Sequence, residues 1–236
     1  MKKIIMTMGG TPQGWNRWNE EGVTRDFQTE AERLMITAKP YFDECIIRDN
    51  DYIKNSPFYK DHKDVLDQPN FGTAFKPIMF FEILRTMQEG DFVLVCDSNH
   101  IIISNPQPII DVTLNNGVFA KDHWGVRYLN KQWTLRNTFI NMGCDEERYW
   151  NSTHVQANII AMVKCDLAMK FSEEFLTSSL NYDIMFGIGN NNENFPEFIE
   201  HRHEQSVFSI LVEKYKIPYY ENPQQIIPEM DIICVK

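Results

Sequence analysis

The triplet Asp97-Ser98-Asn99 has the residue types and spacing to bind a divalent cation together with a diphosphate. It directly follows a continuous apolar run, residues 92–96, that is typical of a buried strand. A carboxylate and a second oxygen ligand two positions later suit Mg²⁺ or Mn²⁺, with phosphate oxygens and waters completing an octahedron. The same triplet is also ordinary turn chemistry, so alone it leaves both interpretations open.

A second cluster of ionisable side chains, His201-Arg202-His203-Glu204, precedes a predicted helix. Imidazole nitrogens suit Mn²⁺, and the guanidinium of Arg202 can bind a diphosphate through paired hydrogen bonds. Glu204 can orient or deprotonate a hydroxyl group. A solvated helix start explains the same residues, because charged side chains are common at exposed helix entrances.

The hydrophobic pattern predicts the elements that would position these clusters. Strands are predicted at residues 2–8, 44–48, 92–96 and 159–165, and helices at 29–39, 77–88, 168–180 and 205–215. Residues 49–75 have a weak pattern and are predicted to be an irregular surface segment. The alternation predicts an α/β fold with a mixed, mostly parallel central sheet flanked by helices. Asp97 then falls at the carboxyl end of a strand, where open α/β sheets bind ligands.

The net charge and the lack of repeats limit the binding partners and the number of domains that we expect. A formal net charge of −10 argues against nucleic acid as a partner, because phosphate backbones are bound by clustered Lys and Arg. The same charge would repel a nucleoside diphosphate unless a divalent cation or local basic residues offset it. The chain has no repeat and no low-complexity linker, so we predict one domain over residues 1–236.

The cysteines and the start of the chain bear on its location. Five widely spaced cysteines without a CxxC pair disfavour a zinc knuckle or a disulfide framework. The first apolar run, residues 4–8, is too short for a secretory signal core or a membrane span. We therefore expect a cytoplasmic protein without a transmembrane span; peripheral docking on a membrane needs no span and stays open.

Three segments together resemble the signatures of small GT-A-like glycosyltransferases encoded in bacterial polysaccharide loci and by large DNA viruses. These signature segments are residues 71–77 (FGTAFKP), 90–97 (GDFVLVCD) and 201–206 (HRHEQS). In that family the first reads roughly glycine, aromatic, Trp-Lys-Pro; the second ends in a strand-terminal Asp; the third reads His-Arg-His-Asp-Gln-Ser. Phe75 replaces the usual Trp, and Glu204 replaces the usual Asp. Asn99 stands in a triplet that is more often Asp-Ala-Gly or Asp-x-Asp.

The resemblance implies metal-assisted transfer of a sugar from a nucleotide-diphosphate sugar to a glycan, lipid-linked or protein hydroxyl acceptor. Residues 1–110 would form the nucleotide-sugar half and residues 111–236 the acceptor half. The implied nucleotide-sugar contacts are Thr7, Gly9, Gly10, Lys76, Asp97 and Arg202. The implied ligands of Mn²⁺ or Mg²⁺ are Asp97, Asn99 and His203, the catalytic pair is Asp97 and Glu204, and the sugar or acceptor contacts are Gln156, Asn158 and His201.

Two other functions remain open at this point. A nucleotidyltransferase also places a metal and a strand-end carboxylate beside a nucleotide, but usually has a basic, glycine-rich loop after its first strand. Here Gly9-Gly10-Thr11 is followed by Gln13 and Trp15. A catalytically degenerate relative that binds a sugar or a partner protein is the non-enzymatic alternative. Trp15 and Trp18 are further candidates for stacking on an acceptor sugar.

Overall fold

The computed structural model describes residues 1–10, 26–123, 127–189, 192–220 and 226–228. Trp15, Trp18 and the loop after Gly10 lie outside these residues. The described chain forms a six-stranded sheet with helices on both faces. None of the helices within the described ranges is long and apolar enough to cross a bilayer.

The strands are β1 (Lys3–Met8), β2 (Glu44–Arg48), β3 (Phe92–Cys96), β4 (Val118–Lys121), β5 (Gln156–Val163) and β6 (Tyr219–Tyr220). Their order across the sheet is β2-β1-β3-β5-β4-β6. Strand β1 pairs in parallel with β2 and β3, and β4 pairs in parallel with β6, whereas β5 is antiparallel to both β3 and β4. The predicted α/β fold with a mixed, mostly parallel sheet is confirmed.

The helices are α1 (Phe27–Ala38), α2 (Asn50–Lys54), α3 (Lys63–Leu66), α4 (Phe75–Thr86), α5 (Gln107–Asn116), α6 (Asn130–Trp133), α7 (Arg136–Asn141), α8 (Glu147–Trp150), α9 (Asp166–Ser179), α10 (Tyr182–Met185) and α11 (Glu204–Lys214). A 3₁₀ turn, Pro69–Thr73, precedes α4. The four longer helices predicted from periodicity, α1, α4, α9 and α11, all form within two residues of their predicted bounds.

The sheet separates two apolar cores. Helices α4, α9 and α11 pack on one face through Phe80, Phe171 and Phe208, and helices α1 and α5 pack on the other through Leu34 and Ile109. All five residues of β3 are buried, with alternate side chains entering the two cores. Burial on both faces is the reason that this strand has a continuous apolar sequence rather than an alternating one.

Three sequence predictions are wrong in detail. Strand β5 begins at Gln156 rather than at residue 159, so Gln156 and Asn158 lie inside it, because backbone pairing with β4 extends the strand beyond its apolar residues. Residues 49–75 contain α2, α3 and the 3₁₀ turn. Helix α4 also begins before Pro77, since a proline in the first turn lacks only an N–H that would have no helical acceptor.

The connections of the strands on either side of β1 cross opposite faces of the sheet. Helix α1 joins β1 to β2 on one face, and α4 leads into β3, on the other side of β1, across the opposite face. The strand order therefore reverses at β1, which makes the ends of β1 and β3 a topological switch point. Gly9 and Asp97 directly follow these two strand ends.

Candidate active site

Lys76, Asp97 and Glu204 meet at the end of β3 and form an ion-paired cluster. The Nζ atom of Lys76 lies 2.8 Å from Oδ1 of Asp97 and 3.5 Å from Oε1 of Glu204. It also donates a 2.9 Å hydrogen bond to the carbonyl of Ala157 in β5. Each of the three ionic residues belongs to a different signature segment, so segments far apart in the chain converge on one point.

The three charges differ in their access to solvent. The side chains of Lys76 and Glu204 are 6% and 10% exposed, whereas that of Asp97 is 38% exposed. Burial lowers the pKa of Lys76, but the charges of Asp97 and Glu204 outweigh this effect and raise it above its usual range. Lys76 is therefore a fixed cation at neutral pH, and Asp97 is the carboxylate that a ligand can reach.

The backbone around this cluster is strained. Phe71, Thr73 and His203 have φ angles of 54°, 66° and 49°, in the left-handed region that favours glycine. The two strained segments also touch, because the amide of Glu204 lies 3.4 Å from Oγ1 of Thr73. Such residues cost on the order of 1–3 kcal/mol each and are common at functional sites, where surrounding packing holds them in place.

The end of β1 is fixed by packing. Thr7 is fully buried, and its hydroxyl donates a 2.7 Å hydrogen bond to the carbonyl of Cys96, the residue before Asp97. A Cβ atom at Gly9 would lie 2.6 Å from Ile47, and one at Gly10 would lie 2.4 Å from Asn50. The contacts of these three residues tie β1 to β2 and β3. Their predicted contact with a nucleotide therefore remains a prediction.

The predicted metal ligands are only partly assembled. Asn99 is 8% exposed, and the Nδ1 atom of His203 lies 3.2 Å from the carbonyl of Met185. Within the described ranges, no three His, Cys, Asp or Glu side chains converge on a point that could hold a metal. The exposed carboxylate of Asp97 suits a hard cation as one ligand. Further ligands would have to come from a bound diphosphate and water.

His201 and Arg202 anchor the start of α11 to neighbouring helices. The ring of His201 accepts a 3.3 Å hydrogen bond from the amide of Leu135 and donates a 2.9 Å bond to the carbonyl of Met185. Burial, followed by the charge of His203, lowers the pKa of His201 to about 3, so its ring is neutral. The amide of Arg202 donates a 3.2 Å hydrogen bond to the carbonyl of Trp133 in α6, and its side chain forms a 3.0 Å ion pair with Glu200. The ring of His201 is therefore held between neighbouring segments, whereas the side chain of Arg202 is 36% exposed.

Gln156 and Asn158 are the neighbours in β5 of Ala157, whose carbonyl accepts the hydrogen bond from Lys76. Gln156 accepts a hydrogen bond from Lys121 through Oε1 and lies 3.0 Å from Nδ1 of His123 through Nε2. The carbonyl of Asn158 accepts a 2.9 Å hydrogen bond from the amide of Asp97. Asn158 is therefore adjacent to the ionic cluster, and Gln156 faces a separate group of rings.

Sequence reasoning did not find that group of rings, which we call the imidazole–indole cluster: His123, Tyr128, Trp133 and His154. Neighbouring ring centroids are 5.1 to 6.4 Å apart. Gln205, next to Glu204 on α11, approaches His123 to 3.4 Å. Four aromatic residues spread over loops and short elements have no periodicity, so their assembly depends on the tertiary fold.

No protein-family model matches the sequence, and no curated protein matches it. Among solved structures, the chain is similar to the apo crystal structure of mouse xyloside xylosyltransferase 1. The TM-score is 0.48 with 10% sequence identity, over 94% of this chain and 85% of that chain. At this level of similarity, the xylosyltransferase activity is attributed to the mouse enzyme and not to this chain.

Proposed function

We propose that the chain is a GT-A-type glycosyltransferase that moves a sugar from a nucleotide-diphosphate sugar to a hydroxyl group of an acceptor. One observation carries the proposal: Lys76, Asp97 and Glu204 converge at the switch point of an α/β sheet. This is where such sheets bind nucleotides, and the three residues supply a fixed cation, a reachable carboxylate and a buried carboxylate.

Lys76 is suited to position Asp97 beside the leaving group. When the bond between the anomeric carbon and the diphosphate oxygen breaks, the electron pair and a negative charge move to that oxygen. The three N–H donors of Lys76 are taken by Asp97, Glu204 and the carbonyl of Ala157, so Lys76 acts by holding the carboxylate of Asp97 in position. Mn²⁺ or Mg²⁺ bound through Asp97 and the donor's own phosphate oxygens would neutralise the charge on the diphosphate oxygen.

Glu204 is the proposed group beside the acceptor hydroxyl. The acceptor oxygen forms the new bond to the anomeric carbon, and its proton passes to a base. In an inverting reaction the carboxylate of Glu204 would take this proton, and in a retaining reaction it would orient the reacting groups. The hydrogen-bonded helix start and the ion pair with Lys76 hold the carboxylate in position.

Thermal unfolding with a panel of nucleoside diphosphates and nucleotide sugars tests the proposal. Each ligand is added with Mn²⁺, with Mg²⁺ or with chelator to the wild type, to Asp97→Asn and to the control Asp61→Asn, which changes an exposed carboxylate elsewhere. We expect one nucleoside diphosphate to raise the melting temperature of the wild type and the control but not of Asp97→Asn, by mass action. Its nucleotide sugar is then assayed for hydrolysis and transfer.

The absence of a shift for every nucleotide at millimolar concentration, with a folded sample, would exclude a donor site. The chain would then be a non-catalytic binding protein. A shift that persists in chelator would support donor binding without a metal and remove Mn²⁺ and Mg²⁺ from the proposal.

A further inference from the structure

The hydrogen bonds around His154 leave a buried acceptor unused. Nδ2 of Asn130 donates a 2.8 Å hydrogen bond to Ser152, so the amide oxygen of Asn130 faces Nδ1 of His154 at 3.0 Å. Nδ1 must therefore carry the proton, and Nε2 has a free lone pair. His154 is 1% exposed, and its Nε2 has no hydrogen-bond partner in the described part of the protein.

The hydrogen bonds around His123 leave an N–H donor without an acceptor. Lys121 can only donate, so Oε1 of Gln156 faces it and Nε2 of Gln156 donates to Nδ1 of His123. The proton of His123 is therefore on its Nε2 atom. That atom faces Nε2 of Gln205 at 3.4 Å, and Gln205 already donates to the carbonyl of Val155. Two donors facing each other do not form a hydrogen bond.

Trp133 adds a second donor. Its Nε1 atom is buried and has no partner in the described ranges, while the ring contacts those of Tyr128 and His154. The imidazole–indole cluster thus holds two N–H donors and one nitrogen acceptor that other described side chains do not satisfy. Leaving such groups without partners is costly, so ordered water or a bound ligand would complete these hydrogen bonds.

The chemistry of the cluster favours a neutral, hydroxylated ring. A hydroxyl group both donates and accepts, so adjacent hydroxyls of a sugar can satisfy both kinds of nitrogen. The phenol ring of Tyr128 is partly exposed and can border the apolar C–H face of the sugar. A metal cation is disfavoured, because the amine of Lys121 lies one hydrogen bond beyond Gln156 and the guanidinium of Arg202 lies 4.9 Å from the ring of Trp133.

The cluster is joined to the proposed active site through the start of α11. Ser206 donates a 2.7 Å hydrogen bond to the carbonyl of Trp133, and the amide of Arg202 donates to the same carbonyl. Gln205, which contacts His123, is adjacent in sequence to Glu204. A sugar on the cluster is therefore on the side of the site that carries the proposed acceptor carboxylate.

We propose that His123, Trp133 and His154 form an acceptor subsite that binds a neutral sugar ring through its hydroxyls. This inference rests on the proposed transferase function and deepens it, because it makes the acceptor a glycan rather than a lipid or protein hydroxyl. Gln156, which fixes the orientation of His123, is a positioning residue for this subsite.

Saturation-transfer NMR on the unliganded protein tests the subsite, with methyl glycosides of glucose, galactose, mannose and N-acetylglucosamine as probes. Trp133→Phe and His123→Phe each keep an aromatic ring and remove an N–H donor. Trp150→Phe is the matched control, because its N–H donates to Asp145 outside the cluster. We expect at least one glycoside to bind the wild type and the control, and each cluster variant to bind it roughly tenfold more weakly, as for one lost hydrogen bond.

Equal binding by the wild type and both folded cluster variants, or binding of no glycoside to the wild type, would overturn the subsite. The nucleotide-dependent melting shift is measured on the same samples. A nucleotide shift without sugar binding overturns the subsite but leaves the transferase proposal standing. Sugar binding that is lost in the cluster variants, without any nucleotide shift, supports a sugar-binding site at the cluster but overturns both the transferase proposal and the role of the site as an acceptor subsite.

Discussion

The buried ammonium of Lys76 compensates two carboxylates that would otherwise repel each other. Asp97 follows β3 and Glu204 begins α11, so each carboxylate belongs to a different element. Because Lys76 and Glu204 are almost excluded from water, neither charge is well solvated without the other. The ion-paired cluster therefore contributes to the docking of α4 and α11 as well as to the proposed chemistry.

Lys76→Met is expected to lower the free energy of unfolding by roughly 2–4 kcal/mol, because it leaves the buried carboxylate of Glu204 without its cation. Adding Glu204→Gln should restore part of this loss, since the uncompensated charge is then gone. Urea denaturation of the single and double variants measures both effects. Lys170→Met, an exposed lysine, is the control and should change stability by less than about 0.5 kcal/mol. Simple additivity of the two substitutions would show that the residues are not coupled.

At the scale of elements, the end of β1 is positioned by close contact with the end of β2 and the start of α2. The amide of Gly9 donates a 2.7 Å hydrogen bond to the carbonyl of Arg48, and Gly10 lies against Asn50 at the start of α2. A side chain at Gly10 would separate these segments. Packing against Ile47 and Asn50 is therefore sufficient to explain why residues 9 and 10 are glycines.

Gly10→Ala is expected to reduce the free energy of unfolding by about 1–3 kcal/mol, as for overpacking. The new Cβ would lie 2.8 Å from the backbone nitrogen of Asn50, which cannot move away as a flexible side chain could. Gly143→Ala is the comparison, because its Cβ meets no atom within 4 Å and only its positive φ is unfavourable. Thermal or urea unfolding compares the two. A smaller loss for Gly10→Ala than for Gly143→Ala would contradict this account of the β1 end.

At the scale of the whole molecule, buried neutral imidazoles link stability to pH. Burial is the main cause that lowers the pKa of His123 to about 4 and of His201 to about 3, and it also lowers the pKa of His154. The unfolded chain binds protons near the ordinary histidine pKa of about 6.5, whereas the folded protein does not. The contribution of these neutral imidazoles to the free energy of unfolding is therefore fully present above about pH 6.5. It is lost as the pH falls toward the pKa values of the histidines in the folded protein.

We expect the free energy of unfolding to fall between pH 7 and pH 5, by up to about 2 kcal/mol for each of these histidines. Most carboxylates titrate below this range, so the slope reports mainly on imidazoles. Urea denaturation at pH 7, 6 and 5 measures it. His201→Gln should be less stable than the wild type at pH 7 but show a smaller loss between pH 7 and pH 5. An identical pH dependence in the two proteins would mean that His201 is not the neutral buried group described above.

The sequence alone determined the parts of this fold that have a strong local pattern. The continuous apolar run of β3 predicted a strand buried on both faces, and the periodicity of α4, α9 and α11 predicted helices that pack on one side. It also placed Asp97 at a strand end, because strand ends are visible as the point where the apolar run stops. These features depend on neighbouring residues, and so a local pattern is sufficient to find them.

Only the tertiary structure decided which side chains meet. Lys76, which the family resemblance implied as a nucleotide-sugar contact, is buried between Asp97 and Glu204. Gln156 and His154 face rings from other segments. Partners in these clusters come from elements far apart in the chain, and periodicity reports only the face on which a residue lies. Sheet order and helix docking bring those faces together, because the hydrophobic burial that drives them is non-directional and depends on the whole chain.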